Sequence, residues 1–436
     1  MDAAMDLFEK CRRFLDDPAY AERIGYPTNP RTAQAQGLYP YFIPLDESDG
    51  TTVVIEGRRR IMIGSNNYLG LTTDPRVRQA AADALARYGT SCTGSRFLNG
   101  TLALHLELEG QLARYVGKEK ALVFATGYQA NLGAISALLG RNDVVICDKE
   151  DHASIFDGCR LSRGEMRRFK HNDVADLDRV LSTCPSTAGR LVVVDGVFSM
   201  SGEIAPLGEI ADCCRRHGAR LMVDDAHGIG VTGGGRGTAA HHGVTEAVDL
   251  IMGTFSKSLA SVGGFVAGDE ATIHWIQHRA RSLIFSASLP PPSAAAARAA
   301  LDILEGEPER VAWVNEIGDR MRGALRGLGF DTGMGATPIV PIVVGGAMET
   351  LVLWRELFEA GVYANAALPP AVPEGRCLLR TSYMATHTED QLAEVLHAFA
   401  SLRARLEAGS RPAGQPTTDP SAPGSAVGCA YNPSDT

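Results

Sequence analysis

The sequence predicts an α/β fold, with a mainly parallel central sheet and a smaller α+β domain behind it. Three observations lead there. Apolar strand-like runs alternate with helical segments from Ala121 to Val266, the pattern of parallel strands joined by right-handed crossovers. Two of those runs end on chemistry. Leu221-Met222-Val223 leads into Asp224-Asp225-Ala226-His227, and Asp249-Leu250-Ile251-Met252-Gly253 leads into Thr254-Phe255-Ser256-Lys257. Open sheets of this class bind ligands at the carboxyl ends of their strands. From about Glu307 the pattern becomes helix, strand, helix, strand, helix, which reads as a separate cap.

Bulk properties narrow the function. The chain has 436 residues, 45% apolar and 21% charged, enough for two cores. A net charge of −9 gives no basic footprint for nucleic acid. Apolar runs such as Leu191 to Val194 are too short to span a bilayer. Asp2, Asp6 and Glu9 precede any apolar stretch, unlike a secretory signal. Nine cysteines, an odd number with no C-x-x-C pair, fit a reducing cytoplasm and suggest no metal site. The expected division is an arm and small hairpin over 1–65 and a large domain over 66–305. A small domain over 306–408 and a disordered tail over 409–436, rich in Pro, Ser, Thr and Gly, complete it.

Taken in order, Leu7, Phe8, Cys11 and Leu15 share a helical face, and a linker runs to about Pro30. Thr51 to Arg58 reads as a hairpin, and a strand ends at Ile63 before Ser65-Asn66-Asn67-Tyr68-Leu69-Gly70-Leu71. Pro75 opens a helix to Tyr88. The polar, glycine-studded run Gly89 to Thr101 is a loop long enough to be functional. A helix from Leu106 to Tyr115 precedes the strand Ala121 to Phe124. That strand breaks at Ala125-Thr126-Gly127-Tyr128 into a helix through Leu139, and a small-residue helix start is a ready phosphate site. Strands follow at Val144 to Cys147, Met166 to Phe169 and Leu191 to Asp195, with a helix around Val174 to Leu181. Gly263 to Gly268 is a strand and turn, and an Ala-rich helix runs from Leu289-Pro290 to about Leu304. The cap comprises helices Val311 to Leu328, Met348 to Ala360 and Asp390 to Glu407, and strands Ile339 to Val344 and Cys377 to Thr381.

The two strand ends define the chemistry. A lysine amine can form a Schiff base with an aldehyde, and does so better when its pKa is lowered. A carboxylate can hold a pyridine nitrogen protonated, which is the acid and lysine pairing of pyridoxal phosphate (PLP) enzymes. Thr254 and Ser256 add hydroxyls suited to a phosphate. A nucleotide site on the glycine loop Gly228 to Gly237 is the weaker reading, because the loop lacks a G-K-[ST] ending.

The segments D-D-A-H-G-x-G-V…G-R-G and G-T-F-S-K-S resemble those of the α-oxoamine synthases, from about Leu38 to Leu402. These are fold-type I PLP enzymes that join an amino acid to an acyl thioester with loss of CO2. The resemblance implies a PLP-linked lysine at Lys257, a ring-nitrogen acid at Asp224, a stacking imidazole at His152 and His227 beside the phenolic oxygen. It implies Ser199 beside the ring, and Gly127 and Tyr128 at the cofactor, where the hydroxyls of Thr254 and Ser256 already point by their chemistry. Ser286, in F-S-x-S, would reach the phosphate of the other subunit's cofactor, making a homodimer with shared sites. Arg380 would clamp the substrate carboxylate with Asn66. Many members carry an acid where this chain has Ala103.

Within the family, Gly89 to Leu102, Ile251 to Ser261, Pro370 to Pro373 and Met384 to Thr388 resemble the bacterial serine palmitoyltransferase branch. That implies L-serine and a long-chain acyl-CoA as substrates. Members using alanine or glycine, of the 8-amino-7-oxononanoate synthase or 2-amino-3-ketobutyrate ligase type, remain open. So does an acyl group delivered by a carrier protein. The G-S-R-F and H-A-S segments disfavour an aminotransferase, and Lys257 disfavours a non-catalytic partner subunit.

Overall fold

A seven-stranded sheet carries the large domain in a computed structural model that describes residues 6–407. The strands of the described chain are β1 (Glu47–Ser48), β2 (Thr52–Ile55), β3 (Arg58–Met62), β4 (Lys120–Phe124), β5 (Val144–Asp148), β6 (Glu165–Phe169), β7 (Arg190–Asp195), β8 (Arg220–Asp224), β9 (Leu250–Thr254), β10 (Gly264–Gly268), β11 (Ile339–Gly345), β12 (Val362–Tyr363), β13 (Asn365–Ala367) and β14 (Cys377–Ser382). The large sheet has the order β4-β10-β9-β8-β7-β5-β6. Only β10 runs against its neighbours, β4 and β9; the other pairs are parallel. The sheet is therefore mainly parallel, as the strand–helix alternation predicts.

Burial explains why these strands read as unbroken apolar runs. Helices cover both faces, so alternate residues enter two separate cores. Val144, Ile146, Val192, Val194, Leu221 and Val223 enter one. Val145, Cys147, Leu191, Val193 and Met222 enter the other. Polar residues appear where each strand leaves the sheet, at Asp148, Asp195, Asp224 and Thr254.

The cap holds the antiparallel sheet β11-β14-β13 and helices Glu309–Gly327, Ala347–Glu359 and Glu389–Glu407. The fourth sheet member of the N-terminal hairpin comes from this cap: β12 pairs parallel to β3, with Val362 opposite Ile61. Ile61 and Ile63 accordingly share a core with Trp354, Leu379 and Phe399. Nothing local marks that pairing, because the partners lie some 300 residues apart.

The N-terminal segment differs from expectation. The first helix is Glu9–Asp16 and buries no residue, and Leu7 and Phe8 lie exposed before it. The presumed linker holds two further short helices, Pro18–Arg23 and Pro30–Ala35. Asp17 and Asn29 cap them, each followed by proline at the first helical position. The helix expected from Leu106 starts at Ala103. Its cap comes from the buried His105 ring, whose Nδ1 accepts the Leu102 N–H at 3.1 Å. Helices Leu207–Arg216 and Glu270–Arg279 were not predicted. The expected tail over 409–436 lies outside the described residues.

Candidate active site

The site stands at the carboxyl ends of β7, β8 and β9. A cavity of about 280 Å³ is lined there by Gly127, Asn131, His152, Asp195, Asp224 and Lys257, among others. A larger open hollow, about 630 Å³, lies around Lys118, Arg190 and Asp249. It faces the amino ends of the strands, where this architecture does not place its ligands.

Each predicted residue arrives by a simple structural route. Asp224 is the last residue of β8 and is buried. Its Oδ2 accepts from Asn131 Nδ2 at 2.6 Å and its Oδ1 from the Ala226 N–H at 3.0 Å. His152 caps the helix Ala153–Leu161 and opens onto the cavity. Its Nδ1 lies 2.7 Å from Ser154 Oγ, and its N–H donates to Asp195 Oδ2 at 3.1 Å. Desolvation against the protein wall lowers its pKa, more than the nearby Asp224 raises it. Lys257 follows β9, and burial pulls its pKa from 10.5 to about 8 although Asp224 and Asp195 oppose the shift. Thr254 Oγ1 lies 2.9 Å from Ser256 Oγ and donates to the Gly263 carbonyl at 3.0 Å.

Gly127 begins the helix Gly127–Leu138, whose free N–H groups face the cavity. Side chains are excluded there on both sides. A Cβ on Gly127 would meet Thr254 Oγ1 at 2.8 Å, and one on Gly264 would meet Gly127 Cα at 2.5 Å. Tyr128 stands at the mouth, its hydroxyl bonded to Asp157 and its ring edge-on to His152.

His227, Arg380 and Asn66 form a second cluster through a residue that sequence reasoning passed over. Tyr68 is fully buried, and its hydroxyl lies 2.7 Å from His227 Nδ1. Arg380, on β14, reaches that hydroxyl at 3.3 Å, Asn66 Oδ1 at 2.8 Å and the Ser199 carbonyl at 2.5 Å. Burial, then the positive charges of Lys257 and Arg380, drive the His227 pKa well down, so the ring is neutral. Ser199 lines the cavity, whereas Arg380 and Asn66 stand behind His227 and Tyr68 rather than on its wall. Ser286 does not reach this cavity; its Oγ accepts from Gln129 Nε2 at 3.1 Å. Asp195 and Asn131 also went unread, because β7 and the helix after β4 meet only in the folded sheet.

The glycine loop has a structural task instead of a phosphate one. Asp225, fully buried, accepts the Thr238 N–H and hydroxyl at 2.6 Å each. A Cβ on Gly228 or Gly237 would sit 1.8 or 2.1 Å from its carboxylate oxygens. The loop wraps this acid and presents no open cradle, which removes the nucleotide reading. Away from the cavity, Asp178, Cys213 and His217 bring donor atoms within 4.8 Å of one another. Arg216 occupies the same Asp178 oxygen at 2.8 Å, so the group is an ion-pair cluster.

Known proteins match this frame. The family model described as aminotransferase class I and II covers residues 59–399. The serine palmitoyltransferase of Sphingobacterium spiritivorum is 48% identical over 388 residues, 89% of this chain and 97% of that one. The 8-amino-7-oxononanoate synthase of Geobacter metallireducens is 46% identical over 373 residues, 85% and 95% of the two chains. Among solved structures, Sphingomonas wittichii serine palmitoyltransferase superposes with a TM-score of 0.86 at 40% identity, covering 94% of this chain and all of that one. A serine palmitoyltransferase variant from S. paucimobilis, solved with a bound PLP–myriocin aldimine, gives 0.86 at 38%, covering 93% and 100%. The chain belongs to the class I and II aminotransferase family and, within it, to the α-oxoamine synthases.

Proposed function

We propose that this protein is a PLP-dependent acyltransferase that joins L-serine to a long-chain acyl-CoA, releasing CoA and CO2 and giving a 3-oxo sphingoid base. One observation carries the reading: β8 and β9 deliver a buried carboxylate and a lysine of lowered pKa to one cavity closed by a glycine-lined helix start. Residues present there fit PLP. Gly127 lets the helix start lie tight against Thr254 and Gly264, where any side chain would clash, and that helix start, with Tyr128, Thr254 and Ser256, suits a dianionic phosphate. Bound PLP supplies an electron sink for negative charge at the amino acid Cα.

The chain's own residues do the rest. Asp224 sets a negative charge where a ring nitrogen must keep its proton, and His152 covers the cavity wall opposite. Lys257, with its pKa near 8, holds enough neutral amine to act as nucleophile and then as base toward the Cα proton. Arg380, fixed behind the cavity by Asn66 Oδ1, the Tyr68 hydroxyl and the Ser199 carbonyl, is the guanidinium proposed to hold a carboxylate, with Asn66 beside it. His227 stays neutral because burial, with Lys257 and Arg380 nearby, disfavours its charged form. The protein works as a homodimer in the cytoplasm, with Ser286 serving the neighbouring site. Among the described residues no helix is long and apolar enough to cross a membrane.

The 46% identity to an 8-amino-7-oxononanoate synthase favours one second reading, alanine as the amino acid. Supplying serine and palmitoyl-CoA and assaying both coproducts tests the reaction class. Free CoA and CO2 in equal amounts support it; a keto acid without CO2 would show amino-group transfer instead.

A further inference from the structure

Asn131 is fully buried and makes an unusual bargain. Its Nδ2 donates to Asp224 Oδ2 at 2.6 Å and to Ser154 Oγ at 2.8 Å. Its own Oδ1 has no hydrogen-bond partner. A buried, unpaired carbonyl costs stability, so the orientation is held by what the amide nitrogen does. Turning the amide over would aim Oδ1 at the ionised Asp224 Oδ2, two acceptors with no proton between them. The nitrogen has two hydrogens, and both are spent.

The direction of each bond then follows along the chain. Asp224 can only accept when ionised, so Asn131 donates to it. Ser154 Oγ accepts the second Asn131 hydrogen, which leaves its own hydroxyl hydrogen for His152 Nδ1, 2.7 Å away. The Ser154 backbone N–H points at the same nitrogen from 3.3 Å. Two donors converge on Nδ1, so that nitrogen carries the lone pair and the ring proton sits on Nε2. We infer that Asn131 and Ser154 are positioning residues which bind the ring-nitrogen acid, Asp224, and the stacking imidazole, His152, into one directed chain that keeps His152 neutral with its proton on Nε2. The inference rests on the PLP reading above and deepens it. A neutral imidazole places no second positive charge beside a protonated cofactor ring, so Asp224 has that proton to itself.

The charged groups around His152 set what must be resisted. Asp224 and Asp157 favour its protonation, Lys257 opposes it, and Asp195 holds its backbone N–H. Burial outweighs them and favours the uncharged ring, and the Ser154 donors fix which nitrogen keeps the lone pair.

Two measurements test this. In nitrogen-15 histidine-labelled protein free of PLP, with the His152 signal assigned by a His152→Gln variant, a long-range proton–nitrogen spectrum reports the tautomer directly. The expected result near neutral pH is a neutral ring protonated at Nε2. An imidazolium, or a ring protonated at Nδ1, overturns the inference without touching the PLP reading. The second measurement titrates PLP into wild-type protein and Asn131→Ala, following the cofactor's visible band and its pH profile. Loss of a buried bond to a carboxylate should weaken PLP binding about ten- to a hundredfold and shift the band's pH midpoint, with an unchanged melting profile by far-ultraviolet circular dichroism. Equal affinity and an unshifted midpoint in the variant overturn the inference. Failure of the wild-type protein to bind PLP would overturn the functional reading instead, and the tautomer would still decide this one.

Discussion

At the scale of single residues, Lys257 is the most exposed claim. Lys257→Ala should lose the visible absorbance of lysine-linked PLP and at least about 10³-fold in turnover, read by spectrum and CoA release. Because burial lowers its pKa to about 8, the amine in PLP-free protein becomes neutral as pH rises through about 8, not 10.5. Its labelling by an amine reagent should follow that midpoint. Arg380 is a second case. Its planar fork reaches Asn66, Tyr68 and Ser199 together, which a lysine cannot do. Arg380→Lys should raise KM for the amino acid about tenfold or more, with a smaller change in KM for acyl-CoA; equal changes in both would remove the clamp. Much of this was legible because Asp224, His227 and Lys257 stand in short motifs at strand ends. Tyr68, Asn131 and Asp195 were not, although all three lie in segments whose strands and turns were readable. Each acts through a partner more than 40 residues away that only folding supplies, as His227, Asp224 and His152 show.

At the scale of elements, the turn after β8 buries a titratable carboxyl group. Burial raises the Asp225 pKa from 3.8 to about 7, although its bonds to Thr238 pull it down. The folded chain therefore holds an extra proton between those values. Stability from this group is complete below 3.8 and is lost as pH rises through about 7. Asp225→Asn should flatten the pH dependence of the melting temperature across that window; an unchanged slope would place the burden elsewhere. Strand–helix alternation made the parallel sheet readable, since strands buried on both faces must be apolar throughout. The parallel pairing of β12 with β3 was not, because two residues of strand carry no signal of their distant partner. The helix Leu207–Arg216 buries Leu207, Ile210, Ala211, Cys213 and Cys214, but the adjacent cysteines and the charged Arg215-Arg216 end blur its apolar stripe. At the N-terminus the apolar periodicity was real, and the face it predicted lies uncovered in the single chain.

At the scale of the whole molecule, the arrangement of Ser286 matters most. It bonds to Gln129 and lies off its own chain's cavity, while Phe285 beside it is 73% exposed and Leu98 is 78% exposed. Exposed apolar side chains beside Ser286 and on the loop before it in sequence ask for a cover, and a second copy of the chain is the proposed one. Sedimentation should show a dimer, and Phe285→Glu should lower both dimer content and turnover together; a fully active monomer would contradict the shared site. The core residues Asp224, His227, Lys257 and Arg380 are shared across the α-oxoamine synthases, so the choice of serine rests on the flanking segments Gly89 to Leu102, Pro370 to Pro373 and Met384 to Thr388. Substrate choice is therefore the central claim to put at risk. The direct measurement is CoA release from purified, PLP-loaded protein, with serine, alanine and glycine each paired with acyl-CoA donors of graded chain length. The account predicts release with serine alone at useful rates, rising with chain length toward long acyl donors as each buried methylene adds about 0.8 kcal/mol. No release with serine and long-chain donors, together with release from alanine or glycine, would contradict it.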